Sequence, residues 1–589
     1  MQGFYNQILT IDLTDRTSEI QVIDENIYAT YLGGKGLASW LLFERNPKGV
    51  DPLSPDNHLI FATGAVTGGV TWGASRYGIF TKSPLTRLYA ESYSGGRVPE
   101  AISATGFDAI VLKGAARDLS VLEIHPEGVI FHDGTDLAGK DTFETEAAVK
   151  QRHGAKKPKG WRSGVVVVGP AAENGVRFSI VKNDGWRCAG RAGTGTVMGS
   201  KNIKAILFTG DKRRTPHDAK ALIGLSKKMT ALSKDHPAVH AYKSMGTSQM
   251  VKLMNGANAF PTRYWSKGTA PHWEKISADA LHTQCEVKPH ACAKCFLSCG
   301  RMTKVLKGPH KDLVLEGPEY ETLYTFGGLC MVESIEEIVY LNHICDSLGM
   351  DTITAGNLCA FAMAAFEQGK SEYEIQFGDA GAIAVLLKLI AGREGIGELL
   401  SQGIVHAAKR WGMEDAAVHV KGMEPAGYDP RALKGMGLAY ATSDRGACHL
   451  RATFYKPELA GMIDPNQIEG KAEMFIDFED RLTLFDAMIL CKFYRDLYPW
   501  ELLGEMISAA TGIDGSKDNL ATIAGNIALK AREFNLREGM TAADETLPKA
   551  FHKKLEDSGK VITESEIGQL MEDYQTLRNW QKRPGRAGS

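Results

Sequence analysis

Asp211-Lys212-Arg213-Arg214-Thr215-Pro216 is the point where this chain changes character, and it divides two kinds of pattern. Upstream of it, short apolar runs alternate with polar turns and glycine clusters. Ile8-Leu9-Thr10-Ile11-Asp12-Leu13, the turn Thr14-Asp15-Arg16-Thr17 and Glu19-Ile20-Gln21-Val22-Ile23 predict a hairpin. Residues 59–62, 109–112, 121–124, 165–168 and 206–208 predict further strands. Gly68-Gly69, Gly95-Gly96 and the glycines from 190 to 199 separate them. Long helical patterns between these strands are scarce, so an alternating βαβ sheet is not expected. Downstream, apolar residues recur at helical spacing over 218–234, 334–348, 353–368, 380–391 and 519–534. The expected class is therefore α+β. A β-rich domain spans 1–210, and two mainly helical domains span 211–412 and 413–589. The tail, 583–589, is expected to be disordered.

The composition bounds the function. At about 100–200 residues per domain, 589 residues suggest three to five domains, or fewer large ones. Hydrophobic residues at 43% and charged residues at 23% exclude a disordered chain, a collagen or a small disulfide scaffold. Lys+Arg 68 against Asp+Glu 70 leaves a net charge of -2, without the basic excess of a phosphate-neutralising nucleic-acid protein. Glycine stands at 63 of 589, about 11% against a typical ~7%, which implies many close backbone approaches. Met1-Gln2-Gly3-Phe4-Tyr5-Asn6-Gln7 has no basic or apolar leader region, and no run reaches 18 apolar residues. A cytoplasmic protein outside the membrane is the expectation. The ten cysteines should then be reduced thiols or metal ligands.

The strongest local signal is Cys292-Ala293-Lys294-Cys295-Phe296-Leu297-Ser298-Cys299-Gly300. Its C-x2-C-x3-C spacing aims three thiolates at one face of an iron–sulfur cluster, with a fourth ligand arriving from afar. A zinc site completed by His290 or another cysteine is an alternative, as are three unrelated thiols. The first reading is preferred, and it makes redox chemistry the expectation. The run Gly193 to Lys201 is not a nucleotide loop: Ser200 precedes Lys201, and no strand-like run leads into it.

Other segments accompany this cluster: Glu316-Gly317-Pro318-Glu319-Tyr320-Glu321-Thr322, Asp346-Ser347-Leu348-Gly349-Met350-Asp351-Thr352, Arg445-Gly446-Ala447-Cys448-His449-Leu450 and Asp486-Ala487-Met488-Ile489-Leu490-Cys491. The N-terminal half adds Gly73-Ala74-Ser75-Arg76-Tyr77-Gly78 and Arg187-Cys188-Ala189-Gly190-Arg191-Ala192-Gly193. In order and spacing, over nearly the whole chain, these segments resemble the aldehyde:ferredoxin oxidoreductase family of tungstopterin enzymes. The resemblance implies an N-terminal β-sheet domain that forms the base for the cofactor, followed by two mainly helical domains. It implies tungsten held by two pterin dithiolenes, with a [4Fe-4S] cluster nearby and Mg2+ as a bridge between pterin phosphates. Molybdenum would bind the same dithiolenes.

Residue by residue, the resemblance makes Cys292, Cys295, Cys299 and Cys491 the cluster ligands. It gives Asp346, Met350 and Asp351 to one pterin, and Asp486, Leu490 and Lys492 to the other. Carboxylates suit pterin N–H groups, although helix capping would also account for Asp346 and Asp351. Arg76, Tyr93, Gly95, Arg187, Cys188, Gly190 and Arg191, with Arg445 and Gly446, match positions that hold pterin phosphates and edges. The implied catalytic groups are His449, a glutamate of the Glu316 to Glu321 segment, with Glu319 ahead of Glu321, and Tyr428 in the pocket. Tyr340 stands where members with an interfacial metal carry a glutamate, which argues against a metal-bridged homodimer.

The expected activity is oxidation of an aldehyde with water to a carboxylic acid. Electrons would pass through the cluster to a ferredoxin or a small ferredoxin-like subunit, in a homo- or hetero-oligomer. No nicotinamide or flavin fingerprint is evident. The alternatives are a relative that reduces an aromatic-thioester ring and, from a different class, a zinc-stabilised binding protein.

Overall fold

The computed structural model describes residues 1–154 and 158–580. The tail expected to be disordered lies outside them. The expected hairpin forms from β1 (Gln7–Asp12) and β2 (Thr17–Val22), with Ile11 opposite Ser18. With β3 (Leu59–Ala62), β4 (Tyr77–Lys82), β5 (Tyr89–Ser94) and β6 (Ala109–Lys113) it makes a six-stranded sheet in the order β2-β1-β6-β3-β4-β5. A second six-stranded sheet contains β7 (Ser120–His125), β8 (Gly128–Asp133), β9 (Arg162–Val167), β10 (Val181–Asn183), β11 (Arg187–Ala189) and β12 (Ile203–Gly210). Its order is β11-β10-β9-β12-β7-β8. Each sheet has one parallel pairing, β1 with β6 and β7 with β12.

The two-residue period of a strand explains the layering. Leu9, Phe61, Ile79 and Ile110 face the second sheet and share a core with Val166, Ile206 and Phe208. Their neighbours Ile8, Ile60, Phe80 and Val111 face the opposite way, into a core with helical residues such as Phe485, Ile523 and Ile527. Burial on both faces is why these strands read as continuous apolar runs.

The helical expectations formed with their caps. Ala219–Ser233 starts at Asp218, Ile335–Leu348 at Ser334 and Thr352–Glu367 at Asp351, each capping side chain accepting a backbone N–H. Ala380–Gly392 and Lys517–Arg537 complete the expected set. Other elements were not expected. A helix, Gly34–Arg45, lies on the first sheet although its opening Gly-Lys-Gly disfavours helix. Gly34 has φ +48°, and a Cβ there would stand 2.5 Å from the Ala487 carbonyl oxygen, so the glycine permits a close approach. A three-stranded sheet also lies within the helical half: β13 (Cys285–His290), β14 (Gly300–Val305) and β15 (Val314–Glu316).

The cores cross the expected boundaries at 210 and 412. Leu222, Leu225 and Met229 pack with the first sheet, together with residues of Lys471–Ala487 and Trp500–Thr511. A separate large core gathers Ile335–Leu348, Thr352–Glu367 and Ala380–Gly392. Among the described residues, no helix is long and apolar enough to cross a membrane.

Candidate active site and cluster pocket

The cysteine loop is the connection of a hairpin. His290 of β13 pairs with Gly300 of β14, so the chain from 291 to 299 leaves and returns at one point. Cys292, Cys295, Cys299 and Cys491 all line one cavity of about 190 Å³, together with Arg76, Gly95, Arg187, Cys188 and Glu319. Cys491 is brought there by its N–H, which donates to the Gly73 carbonyl at 2.8 Å. A Cβ on Gly95 would stand 2.7 Å from the Cys292 sulfur, so only glycine fits. Arg76 Nη1 lies 3.9 Å from the Cys491 sulfur, and the Tyr494 hydroxyl 3.4 Å from that of Cys295. Burial raises the thiols of Cys292, Cys295 and Cys299, and neighbouring thiolates add to the rise. Among the described residues, no three of these thiols have sulfurs mutually within 4.8 Å. All ten cysteines are free thiols.

Arg76 and Cys491 also form one wall of a second cavity of about 150 Å³. Its lining includes Tyr93, Gly190, Arg191, Arg445, Arg451, Asp486, Leu490 and Lys492. Behind it runs a buried charge network. Asp486 Oδ2 receives Arg451 Nη1 at 2.6 Å and Lys492 Nζ at 2.8 Å. Arg451 also pairs with Glu91, which accepts from Tyr93 Oη at 2.7 Å and Lys35 Nζ at 3.2 Å. Lys35 reaches Asp444 at 2.9 Å. Against the penalty of burial, Arg451, Lys35 and Arg445 hold the Glu91 carboxyl at about 2. Burial and the Arg451 charge bring Lys492 down to about 7. Arg445 Nε and Arg451 Nε and Nη2 are buried without hydrogen-bond partners among the described residues. Such donors call for an acceptor-rich ligand in the cavity, and phosphates and pterin ring edges suit that need.

Asp346 and Asp351 lie on the other flank. Asp351 both caps Thr352–Glu367, through the Ile353 N–H at 3.0 Å, and pairs with Arg191 Nε at 2.9 Å. Asp346 is no cap; it receives Lys182 Nζ at 3.2 Å and Asn342 Nδ2 at 2.9 Å. Burial raises both carboxyls. Met350 is buried in a β-bridge with Ser179 and lines neither cavity. Gly446, at φ +103°, passes within reach of the Val420 carbonyl, where a Cβ would stand 3.0 Å away.

The glutamates of the 316–321 segment separate by position. Glu316 pairs with Arg187 Nη2 at 2.5 Å. Glu319 lines the cysteine cavity and accepts from Thr247, close enough to Cys299 for their charges to interact. Glu321 instead has Oε1 3.5 Å from His449 Nε2, and its Oε2 accepts the Gly427 N–H at 3.1 Å. Of the two glutamates ranked from the sequence, Glu319 ahead of Glu321, it is Glu321 that stands beside His449. Burial pushes Glu321 up to about 8. Burial, reinforced by Arg445, Arg191 and Arg451, drives His449 well below 6.5. Both shifts favour the uncharged forms of the pair. The Tyr428 ring stacks on His449 at 5.4 Å and on Tyr455 at 4.1 Å, and Tyr320 packs against it at 5.4 Å.

Sequence reasoning missed Glu91, Lys35, Asp444, Arg451, Lys182 and Glu424. Arg451 follows His449 by two positions, directly after the quoted segment, and Glu91 precedes Tyr93 by two. Their nearness to motif residues was the available signal. Glu424, buried and raised to about 7, accepts from Thr354 at 2.8 Å beside Arg191.

The family model for the aldehyde ferredoxin oxidoreductase N-terminal domain matches residues 8–210, and the model for domains 2 and 3 matches 224–587. The chain is 32% identical to the tungsten-containing aldehyde ferredoxin oxidoreductase of Pyrococcus furiosus, over 98% of this chain and 97% of the relative. It is 35% identical to the protein of the same description from Pyrococcus abyssi, with the same coverage. To the aliphatic sulfonate oxidoreductase, WOR-like subunit, of Pyrococcus furiosus it is 28% identical, over 76% of this chain and 75% of the relative. Among solved structures, the active site complex BamBC of benzoyl coenzyme A reductase, in complex with 1,5-dienoyl-CoA, matches with a TM-score of 0.82. That likeness covers 98% of this chain and 95% of the other at 23% identity, and is one of fold.

Proposed function

The chain belongs to the aldehyde ferredoxin oxidoreductase family of oxidoreductases, and from that premise we propose that it oxidises an aldehyde with water to a carboxylic acid and passes the electrons to a ferredoxin. The tungsten-containing relatives imply a tungstopterin cofactor. Arg76, Arg191, Arg445, Arg451, Asp351, Asp486 and Lys492 would hold its phosphates and ring edges, with Asp346 alongside. Cys292, Cys295, Cys299 and Cys491 would hold a [4Fe-4S] cluster. When bound, the tungstopterin supplies the two-electron redox centre and the cluster the one-electron relay.

The observation that carries the reading is the Glu321–His449 pair. His449, neutral at pH 7, can donate from a ring nitrogen to the aldehyde oxygen and polarise its carbonyl. Glu321 as carboxylate accepts a proton from water as the new C–O bond forms. A carboxyl near 8 ionises within reach of working pH, which suits a general base. Tyr320, Tyr428 and Tyr455 wall the pair and keep bulk water away.

The ring-reduction alternative has a likeness of fold behind it. The test is anaerobic purification with metal analysis and an aldehyde panel using viologen as acceptor. Tungsten or molybdenum with about four irons per chain, and aldehyde-dependent viologen reduction, are expected. Zinc alone, or no response to any aldehyde, would overturn the proposal.

A further inference from the structure

The cysteine loop has a second side. Ala293 and Cys295 face the cysteine cavity, whereas Lys294, between them, lines a separate cavity of about 330 Å³. Among the described residues, five cations line that cavity, Arg162, Lys212, Arg213, Arg214 and Lys294, and no carboxylate does. The whole chain carries a net charge of -2, so this is a local concentration of positive charge. Arg214 is committed to Asp108 at 2.5 Å. Arg162 and Lys294 reach Glu100 only at 3.8 and 3.7 Å. Lys212 and Arg213 are exposed. Two apolar side chains on the lining, Val70 at 46% and Ile223 at 45%, stand open to solvent.

The segment that lines it, from Ala65 to Thr71, and the two residues that follow touch the cysteine loop and Cys491 at three points. Lys294 Nζ donates to the Gly69 carbonyl at 2.5 Å. The Trp72 ring packs on Phe296, next to Cys295, at 5.1 Å. The Gly73 carbonyl accepts the Cys491 N–H at 2.8 Å. A partner seated here would lie against the loop that carries the thiols, with aromatic side chains between.

We infer that this basic cavity with its apolar rim is the docking site of a separate acidic ferredoxin. The inference rests on the function proposed above and adds the place and chemistry of the acceptor. Weak electron-transfer encounters use small surfaces, and opposite charge steers them. The reaction balances: one aldehyde and one water give one carboxylic acid, two protons released to solvent and two electrons, which reduce two ferredoxin clusters by one electron each.

The test uses the cofactor-loaded protein and a purified acidic two-[4Fe-4S] ferredoxin. Binding of oxidised ferredoxin is measured by calorimetry, and its reduction is compared with that of viologen. K212E/R213E should weaken ferredoxin binding and kcat/KM for ferredoxin by about tenfold or more at low salt. Viologen reduction should stay within about twofold. The control K370E/K388E, at exposed lysines of the helical half, should leave ferredoxin binding within about twofold. Wild-type ferredoxin reduction should fall as salt rises from about 20 to 300 mM. Ferredoxin binding unmoved by K212E/R213E, an equal loss in the control, or a salt-independent wild type would each overturn the docking site. Loss of aldehyde-dependent viologen reduction in the wild type would instead strike the proposed function, and the binding measurement would still judge the surface.

Discussion

Glu321 Oε1 stands 3.5 Å from His449 Nε2, while Glu319, two residues earlier, turns to Thr247 on the cysteine side. One short helical turn, Tyr320–Thr322, thus carries one glutamate at its N-cap and one within it, and they face different partners. Their mutants should separate. E321Q and H449N should each lower turnover by about 10²–10⁴, the range for a positioned acid or base, with tungsten and iron retained. E319Q loses one hydrogen bond and should stay within about tenfold. Steady-state kinetics with metal analysis checks this; full activity in H449N would return that histidine to a structural role.

The pH dependence follows from the Glu321 carboxyl, raised from 4.5 to about 8 by burial. If its carboxylate is the base, turnover rises with pH through about 8, and E321Q loses that limb. Stability runs the other way. Below about 4.5 the group is protonated in both states. Between about 4.5 and 8 the unfolded chain ionises it while the folded chain keeps the proton, so stability falls as pH rises. For the cofactor-free chain, the Tm of E321Q minus that of wild type should therefore widen from about pH 5 to 8. A constant gap would contradict the raised carboxyl.

C491A should remove a cluster ligand almost 200 residues from the cysteine loop in sequence. Iron content and the reduced-cluster EPR signal report it. An intact cubane in the mutant would take Cys491 out of the ligand set.

R451M would leave Glu91 and Asp486 facing each other without their shared cation. Breaking a buried ion pair on one side costs about 3–5 kcal/mol. Lower Tm and loss of pterin are expected; unchanged values of both would show that Lys35 and Lys492 suffice.

The purified chain should reduce viologen with aldehyde but not NAD. The motif at 193–201 folds as the short helix Thr194–Ser200 behind Gly193, with its backbone pressed against Ile180 and Ala172, which leaves no room there for a dinucleotide. Stoichiometric NADH formation by the single chain would overturn this.

The sequence by itself determined what is local. The β1–β2 hairpin, the apolar strands at 59–62 and 165–168, and helices opening at Asp218, Ser334 and Asp351 each carry their signal within a few residues. The spacing of Cys292, Cys295 and Cys299 is equally local. Tertiary structure alone decided the rest. Gly34–Arg45 is a helix because it is packed between the first sheet and the C-terminal helices, against the propensity of its glycines. Glu321 rather than Glu319 meets His449 because a hydrogen bond from Gly427 and the cage of Tyr320, Tyr428 and Tyr455 fix where that turn points. Glu91 and Arg451, 360 residues apart, meet only in the fold, and nothing along the chain announces their pairing with Lys35 and Asp486. A buried charge is tolerated only beside its partner, and partners are brought together only when the whole chain has folded.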